Sequence, residues 1–441
     1  MQQRAEIYRI CLNKTDTFRG IKGPVTMRKV LMLIVAILPL LFSFQAINPD
    51  QKNQLLYLQT ELLEGKQFAS HGITGKGIRI AILDGGFTGT DTHPGLAHLF
   101  QGHRIIKTWD FVGKDENVYH GNSHGTSVLS CIAGIYHQNP VGLAPEAEFL
   151  LARTEMDGEP VKEEKNWASA VRWAIDNGAD IIQSSIGYSY HRYYQEELDG
   201  KTSIAAKAAL EAARLGVLVI NSAGNEGSSR WKTLGTPADA DSIISVGAID
   251  PYSALAAAFS SVGPTADGRL KPNVCASGTV LAFTADGRAR TMYGTSFAAP
   301  LVTGFAACVM QLMPKASNMD ILHLIEKSGH LYPYFDYSHG YGVPRASYFF
   351  KDEDSTIGSS PAISRLTESI KVDPVSQANL QPSPWKSYLF YQFVDSTNRI
   401  RLYGVASTNP YTPTYLPANE FLEGDILRIW QNGKTSVWKE Y

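Results

Sequence analysis

Three short segments of this chain place a carboxylate, an imidazole and a hydroxyl where each could take part in proton transfer. They are Ile82-Leu83-Asp84-Gly85-Gly86, His124-Gly125-Thr126-Ser127 and Gly294-Thr295-Ser296-Phe297-Ala298-Ala299-Pro300. A serine hydroxyl is a weak nucleophile until an imidazole accepts its proton. The imidazole in turn needs an anion to fix its tautomer and stabilise its charged form. Asp84, His124 and Ser296 therefore supply the parts of an acyl-transfer centre. Asn225, in Ala223-Gly224-Asn225-Glu226-Gly227, adds an amide that can donate to the oxyanion of a tetrahedral intermediate, together with the backbone N–H of Ser296.

The elements that must position these groups are legible around them. Residues 77–84 form an apolar run of strand length ended by two glycines, which puts Asp84 at the carboxyl end of a buried strand, where open α/β sheets place ligands. His124 opens residues 125–135, small and apolar enough for a helix packed closely on a sheet. Ser296 opens a nearly unbroken apolar run to residue 313, long enough for a helix buried on all sides. Pro300 lacks an N–H and belongs in a first turn, so that helix is expected to start close to Ser296, with the hydroxyl at the positive end of the helix dipole. Residues 216–222 read as a strand leading into the Asn225 loop. Further strands at 181–186 and 242–248 alternate with helical patterns at 167–177 and 204–215. The expected fold is α/β: a doubly wound, mostly parallel sheet with helices on both faces.

With these segments in place, the chain resembles the subtilisin-like serine peptidases, the subtilase family, over roughly residues 72–348. The motifs are D-G-G at Asp84, H-G-T-S-V at His124, S-A-G-N at Asn225 and G-T-S-F-A-A-P at Ser296. Thr92-His93-Pro94-Gly95-Leu96, Val141-Gly142-Leu143-Ala144-Pro145, Phe259-Ser260-Ser261-Val262-Gly263-Pro264 and Lys271-Pro272 add to the likeness. The resemblance implies a serine endopeptidase acting on proteins or peptides through an acyl-enzyme. It implies a substrate cleft formed by the extended segments Ser185-Ile186-Gly187 and Ala223-Gly224, with Gly235 leaving the primary pocket open to large apolar side chains. Two positions depart from the family pattern: Gly85 stands where Ser or Thr is usual, and Phe297 where Met is more common. Calcium stabilises surface loops in many members, but no segment here shows calcium-ligand spacing. The chemistry is expected to need no cofactor, and no metal residue is assigned.

Other readings of the same residues carry less weight. His120 and His124 stand at metal-ligand spacing, but a glycine between them and the absence of a following carboxylate disfavour a zinc site. His93 reads as a turn residue holding the loop after Asp84. The tyrosine-rich residues 188–194 suit either an aromatic rim to the cleft or a covering loop. A catalytically idle relative would lack the four groups above. An acyl transferase or esterase would use the same acyl-enzyme.

The chain has 441 residues, 44% of them hydrophobic, and a formal net charge of −2 from 40 basic and 42 acidic residues. It is large enough for an ample core, and no concentration of basic charge suggests nucleic acid. Cys11, Cys131, Cys275 and Cys308 show no paired spacing and read as small apolar residues. Met27-Arg28-Lys29 precedes an apolar stretch at 30–44 that matches a secretory leader and is short for a membrane span. The protein is therefore expected to be secreted or exposed at the cell surface and to act as a monomer, with an uncleaved membrane anchor as the alternative. Translation is expected to begin at Met27, and the interval before Asp84 is too short for a folded inhibitory pro-domain. A single amphipathic helix is expected at 55–68.

The expected organisation is an N-terminal extension and leader at 1–46, the catalytic domain at 47–350, a linker at 351–361 and a small β domain at 362–441. In the last of these, strands at 388–394 and 399–405 surround a polar turn, and strands at 425–430 and 434–439 flank Gln431-Asn432-Gly433, a strong hairpin signal. The ending loosely resembles sorting domains of the type IX secretion route; a binding sandwich or stabilising cap fits it equally.

Overall fold

A buried strand that must hide both its faces needs apolar side chains pointing both ways, and residues 79–84 supply them. The structure, a computed structural model, describes residues 49–156, 158, 160–190, 192–350, 361–374, 388–409 and 411–440. Helix α1 (Pro49–Glu61) leads to strands β1 (Arg79–Asp84) and β2 (Ile105–Asp110), helix α2 (His124–Ala133) and strand β3 (Glu148–Arg153). Then come α3 (Val161–Asp176), β4 (Ile181–Ser184), α4 (Ile204–Arg214), β5 (Leu218–Ser222), β6 (Ile244–Ile249) and β7 (Val274–Ser277). The seven strands form one sheet in the order β2-β3-β1-β4-β5-β6-β7, and every neighbouring pair is parallel. Along β1, Ile80 and Ile82 enter a core shared with α2 and the long helix α5 described below. Ala81 and Leu83 enter a second core with Trp167, Ala170 and Val171 of α3 and the alanines of α4. This alternation makes the sheet two-faced.

A hairpin of β8 (Thr279–Phe283) and β9 (Ala289–Tyr293) precedes α5 (Thr295–Leu312) and α6 (Asn318–Ser328). Helix α5 runs through the core, with Phe297, Leu301, Val302, Phe305 and Val309 all buried; burying each such side chain favours folding by about 1.5–3 kcal/mol. It begins at Thr295 behind Gly294, whose φ of 143° suits glycine. Pro300 therefore lies in the second turn rather than the first. Its missing N–H leaves the Ser296 carbonyl without the usual i+4 donor, and the Ser185 hydroxyl donates to that carbonyl instead, at 3.0 Å.

The C-terminal strands are β10 (Ile363–Arg365), β11 (Ser369–Val372), β12 (Tyr388–Val394), β13 (Ile400–Ser407), β14 (Thr414–Pro417), β15 (Ile426–Gln431) and β16 (Lys434–Lys439). They form antiparallel sheets in the orders β10-β11-β14 and β13-β12-β15-β16. The hairpin expected at Asn432-Gly433 is present, both residues having positive φ. Leu389, Phe393, Leu427 and Ile429 build a core of their own, whereas Phe390 and Trp430 join the core of the parallel-sheet region. Tyr334 Oη also donates to Tyr391 O at 3.0 Å, and the described residues form a single compact unit. The leader expected at 1–46 and nearly all of the linker at 351–361 lie outside the described residues.

The helix expected at 55–68 is broken. α1 ends at Glu61, and a short helix at Gly65–Ser70 follows Glu64, which adopts the left-handed conformation. Gln59 of α1 is buried and bonds Val141 O, Leu281 O and Leu281 N, so contacts with β8 and the loop after α2 fix this segment. Cys131, Cys275 and Cys308 are buried free thiols, as expected. Cys11 lies outside the described residues.

Candidate active site

Asp84 ends β1 with its side chain fully buried, and its Oδ1 accepts the Gly85 N–H at 2.8 Å. His124 is the first residue of α2, its own N–H donated to Asn122 Oδ1 at 3.0 Å. The His124 Nδ1–H faces both carboxylate oxygens of Asp84, at 3.0 and 2.9 Å. This grip fixes the proton on Nδ1 and leaves Nε2 as the basic nitrogen. Burial alone would depress the pKa of the His124 imidazole, but Asp84 outweighs burial through charge and hydrogen bond. With a further contribution from Glu155, it lifts the pKa to about 9. The side chain remains about one-third exposed, at 31%, which leaves a face open to a reactant.

Ser296 stands in the first turn of α5, and the ring of the next residue, Phe297, lies 5.5 Å from that of His124. Phe297 is buried and packs beneath the site. The Ser296 hydroxyl donates to Ser185 O at a long 3.5 Å and makes no hydrogen bond to His124 in this conformation. Rotation about one side-chain bond frees it from that weak contact, in keeping with the loose catalytic hydrogen bonds usual in ligand-free sites.

Asn225 is oriented by a neighbour to which sequence reasoning gave no role. Its Oδ1 accepts the Thr295 N–H at 2.9 Å and the Thr295 hydroxyl at 3.0 Å. Because a backbone N–H can only donate, the oxygen end of the amide must face Thr295. The Nδ2 donor is then left for the cleft beside Ser296. The Thr295 Oγ1 in turn accepts from Gly224 N at 3.3 Å, so one hydroxyl ties the α5 start to the Asn225 loop. The position of Thr295 between Gly294 and Ser296 was the only signal available for it.

Asn225 borders a cavity of about 680 Å³ that is lined also by Gly85, Asn122, Glu155, Ser185, Ile186, Gly187, Tyr188, Gly224, Glu226 and Gly235, among others. Asp84, His124 and Ser296 are not in its lining, although Gly85 and Ser185 neighbour them. Of the expected cleft residues, Ala223 does not line it. Its side chain is buried against Leu234 and Ala238, and its carbonyl accepts from Gly235 N at 3.2 Å. Gly235 does line the cavity, and its lack of a side chain has a further consequence. A Cβ there would stand 2.9 Å from Gly187 Cα and 3.3 Å from Tyr188 N. Its bareness serves the close approach of two backbones, sealed by the reciprocal Tyr188–Thr236 bonds of 3.0 and 2.9 Å.

The tyrosine-rich stretch serves both as wall and as anchor. Tyr188 is buried, and its hydroxyl donates to Glu163 Oε1 at 2.9 Å while the Arg192 guanidinium stacks 3.9 Å from its ring centre. Burial and the Glu163 charge push the Tyr188 pKa up, which keeps it a donor. Tyr193 Oη donates to Glu164, and Tyr190 packs edge-on against Trp231 at 6.0 Å. His93 is the expected turn residue: its Nδ1 accepts from Gly95 N at 3.1 Å and its ring stacks on Phe283 at 4.0 Å. His120 and His124 engage different carboxylates, His120 Nε2 meeting Asp110 Oδ2 at 3.3 Å. Asp110, Asp115 and His120 do cluster, but Arg153 already occupies Asp110 Oδ2 at 2.8 Å.

A parallel α/β sheet with a His–Asp pair at one strand end and a serine at the start of a buried helix defines a serine-hydrolase class of site. The chain belongs to the subtilase family, whose family model matches residues 75–342. It is 33% identical over 265 residues to Subtilisin NAT of Bacillus subtilis subsp. natto, covering 59% of this chain and 62% of that protein. It is 29% identical over 309 residues to the serine protease AprX of Bacillus subtilis (strain 168), covering 62% of this chain and 66% of AprX. The chain thus spans less than two thirds of either relative. Among solved structures, the MycP3 protease from the type VII (ESX-3) secretion system superposes with a TM-score of 0.54 at 21% identity, covering 67% of this chain and 88% of that one. MycP1 with its N-terminal propeptide removed gives 0.53 at 23% identity, covering 65% and 95%. These two likenesses bear on the fold.

Proposed function

We propose that this protein is a serine endopeptidase that hydrolyses peptide bonds through an acyl-enzyme on Ser296. The observation that carries this reading is the two-oxygen hold of Asp84 on His124 Nδ1, which turns Nε2 into a base beside the Ser296 helix. In the proposed reaction the Ser296 Oγ attacks the scissile carbonyl as Nε2 takes its proton. The Ser296 N–H and Asn225 Nδ2 donate to the oxyanion, and the proton passes to the leaving amine. Water then repeats the sequence to release the acid. Ser185, Ile186 and Gly187 would offer a backbone edge to an extended peptide, with Gly224 in the wall of the cavity; such pairing reads main chain more than side chain. The role needs no metal or other cofactor, and the proposed partners are protein or peptide substrates. Export rests on the leader-like residues 27–44, and action as a monomer is part of the same proposal.

The test is peptide mapping of an unfolded protein after incubation with the purified chain. New internal termini support an endopeptidase, whereas turnover of activated esters with no amide cleavage supports the esterase or transferase alternative.

Two further outcomes follow. Only neutral His124 can accept the serine proton, and its folded pKa is raised toward about 9. Hydrolysis should therefore increase as pH rises, with the acidic limb of kcat/KM above 6.5, the ordinary imidazole value. A profile already flat at pH values below 6.5 would contradict that electrostatic account. Thr295→Val keeps the 2.9 Å backbone bond to Asn225 but removes the hydroxyl's 3.0 Å bond. It should cost about 1–2 kcal/mol of transition-state stabilisation, a five- to thirtyfold fall in kcat. Unchanged steady-state kinetics would show that the Thr295 hydroxyl does not orient the amide.

A further inference from the structure

Gly85 carries no side chain, and two polar groups crowd the space that one would fill. A Cβ at this position would run into the Asn122 amide nitrogen and would stand 3.0 Å from Glu155 Oε2. Asn122 is fixed by its Oδ1, which accepts from His124 N at 3.0 Å. Glu155 is placed by strand pairing: Asp84 lies opposite Arg153, and the Thr154 N–H donates to Asp84 O at 2.8 Å. Glu155 is the next residue. The segment is held from below as well, since Met156 N donates to the buried Glu163 Oε2 at 2.7 Å while Glu163 Oε1 accepts from Tyr188. A single buried carboxylate thus ties the Glu155 side of the cavity to the Tyr188 side.

We propose that Glu155 is a positioning residue that acts through His124, its carboxylate serving beside Asp84 as a second anion that supports the charged imidazole during acyl transfer. This rests on the endopeptidase reading above. Other charged groups stand near the site. Arg153 bonds Asp110 Oδ2 at 2.8 Å and Gly85 O at 3.2 Å, and His120 pairs with Asp110. Glu163 is bound as described, Glu226 lines the cavity next to Asn225, and helix α5 carries no charged residue at all. Asp84 and Glu155 are the carboxylates whose charge raises the His124 pKa. An anion that stabilises imidazolium helps the transition state, where the ring becomes charged. It also hinders the resting enzyme at low pH, where the ring must first lose a proton. The two effects have opposite signs, so removing the charge gives a signature that mere loss of structure does not.

The experiment is the rate of Ser296 labelling by a fluorophosphonate as a function of pH, for the full chain and for Glu155→Gln, Glu155→Ala and Glu155→Asp, with thermal melts as a check on folding. In Glu155→Gln and Glu155→Ala the acidic limb should move down by about half to one pH unit, and the high-pH plateau should fall by less than about tenfold. Glu155→Asp, which keeps the charge, should stay nearer the wild-type limb. If the folded Gln and Ala variants keep the wild-type limb to within about 0.2 unit, Glu155 does not act on His124 and the inference fails while the endopeptidase reading stands. If the Gln variant does not fold, the Ala variant decides by the same limb. If the wild-type chain does not label at any pH, the endopeptidase reading fails, and this inference with it.

Discussion

Ser296→Ala should lower kcat/KM for amide hydrolysis by about five to six orders of magnitude with KM close to wild type, a figure carried over from subtilisin, a relative of this chain. The physical reason is that the acyl bond of the proposed intermediate forms on the Ser296 Oγ and is cleaved from it. The remaining groups, His124 held by Asp84 at 2.9 Å and Asn225 held by Thr295 at 2.9 Å, would still bind substrate and polarise its carbonyl. A small residual rate above that in water is therefore expected. His124→Ala should cause a loss of similar size, and the double variant should be no worse than either single one, because the two groups act as a unit. Additive losses in the double variant would mean that the serine reacts without the imidazole.

The second large effect concerns the oxyanion. Asn225→Ala should reduce kcat by about two to three orders of magnitude and change KM by no more than about threefold, because the amide's donor acts on charge that exists only in the transition state. Asn225→Asp separates the donor from the shape. One carboxylate oxygen can still accept from Thr295 N and Oγ1, but the other presents a lone pair where the oxyanion forms. A loss at least as large as that of the alanine variant is expected, with the fold intact. Steady-state kinetics on a peptide amide, read as separate kcat and KM values, decide the matter. A loss confined to KM would place Asn225 in ground-state binding instead.

Much of the site could be read from the sequence because its groups stand at element boundaries that announce themselves. Asp84 follows an apolar strand and precedes two glycines, His124 starts α2, and Ser296 follows the Gly294 cap of α5. The alternation of strands and helices likewise gave the parallel sheet, and Asn432-Gly433 gave the last hairpin. What escaped depends on contacts between segments distant in the chain. Nothing local announces that Gly235 lets two backbones meet. The purpose of the Pro300 gap emerges only once Ser185 is seen to occupy the freed carbonyl. Glu155 and Glu163 lie outside every motif, and their meaning comes from what β1, α3 and the Tyr188 loop bring to them. The break near Glu64 and the seating of Phe390 and Trp430 in the main core are likewise tertiary outcomes. Period-two alternation in β12 says which residues share a face, not which core that face will meet.

The central claim is that His124, steadied by Asp84, makes the alcohol of Ser296 reactive. Tandem mass spectrometry after treatment with a fluorophosphonate tests it most directly. The account predicts a single adduct on Ser296 in the wild-type chain, with the labelling rate lost by orders of magnitude in folded His124→Ala. No adduct in the folded wild type, an adduct on another serine, or undiminished labelling without His124 would contradict it.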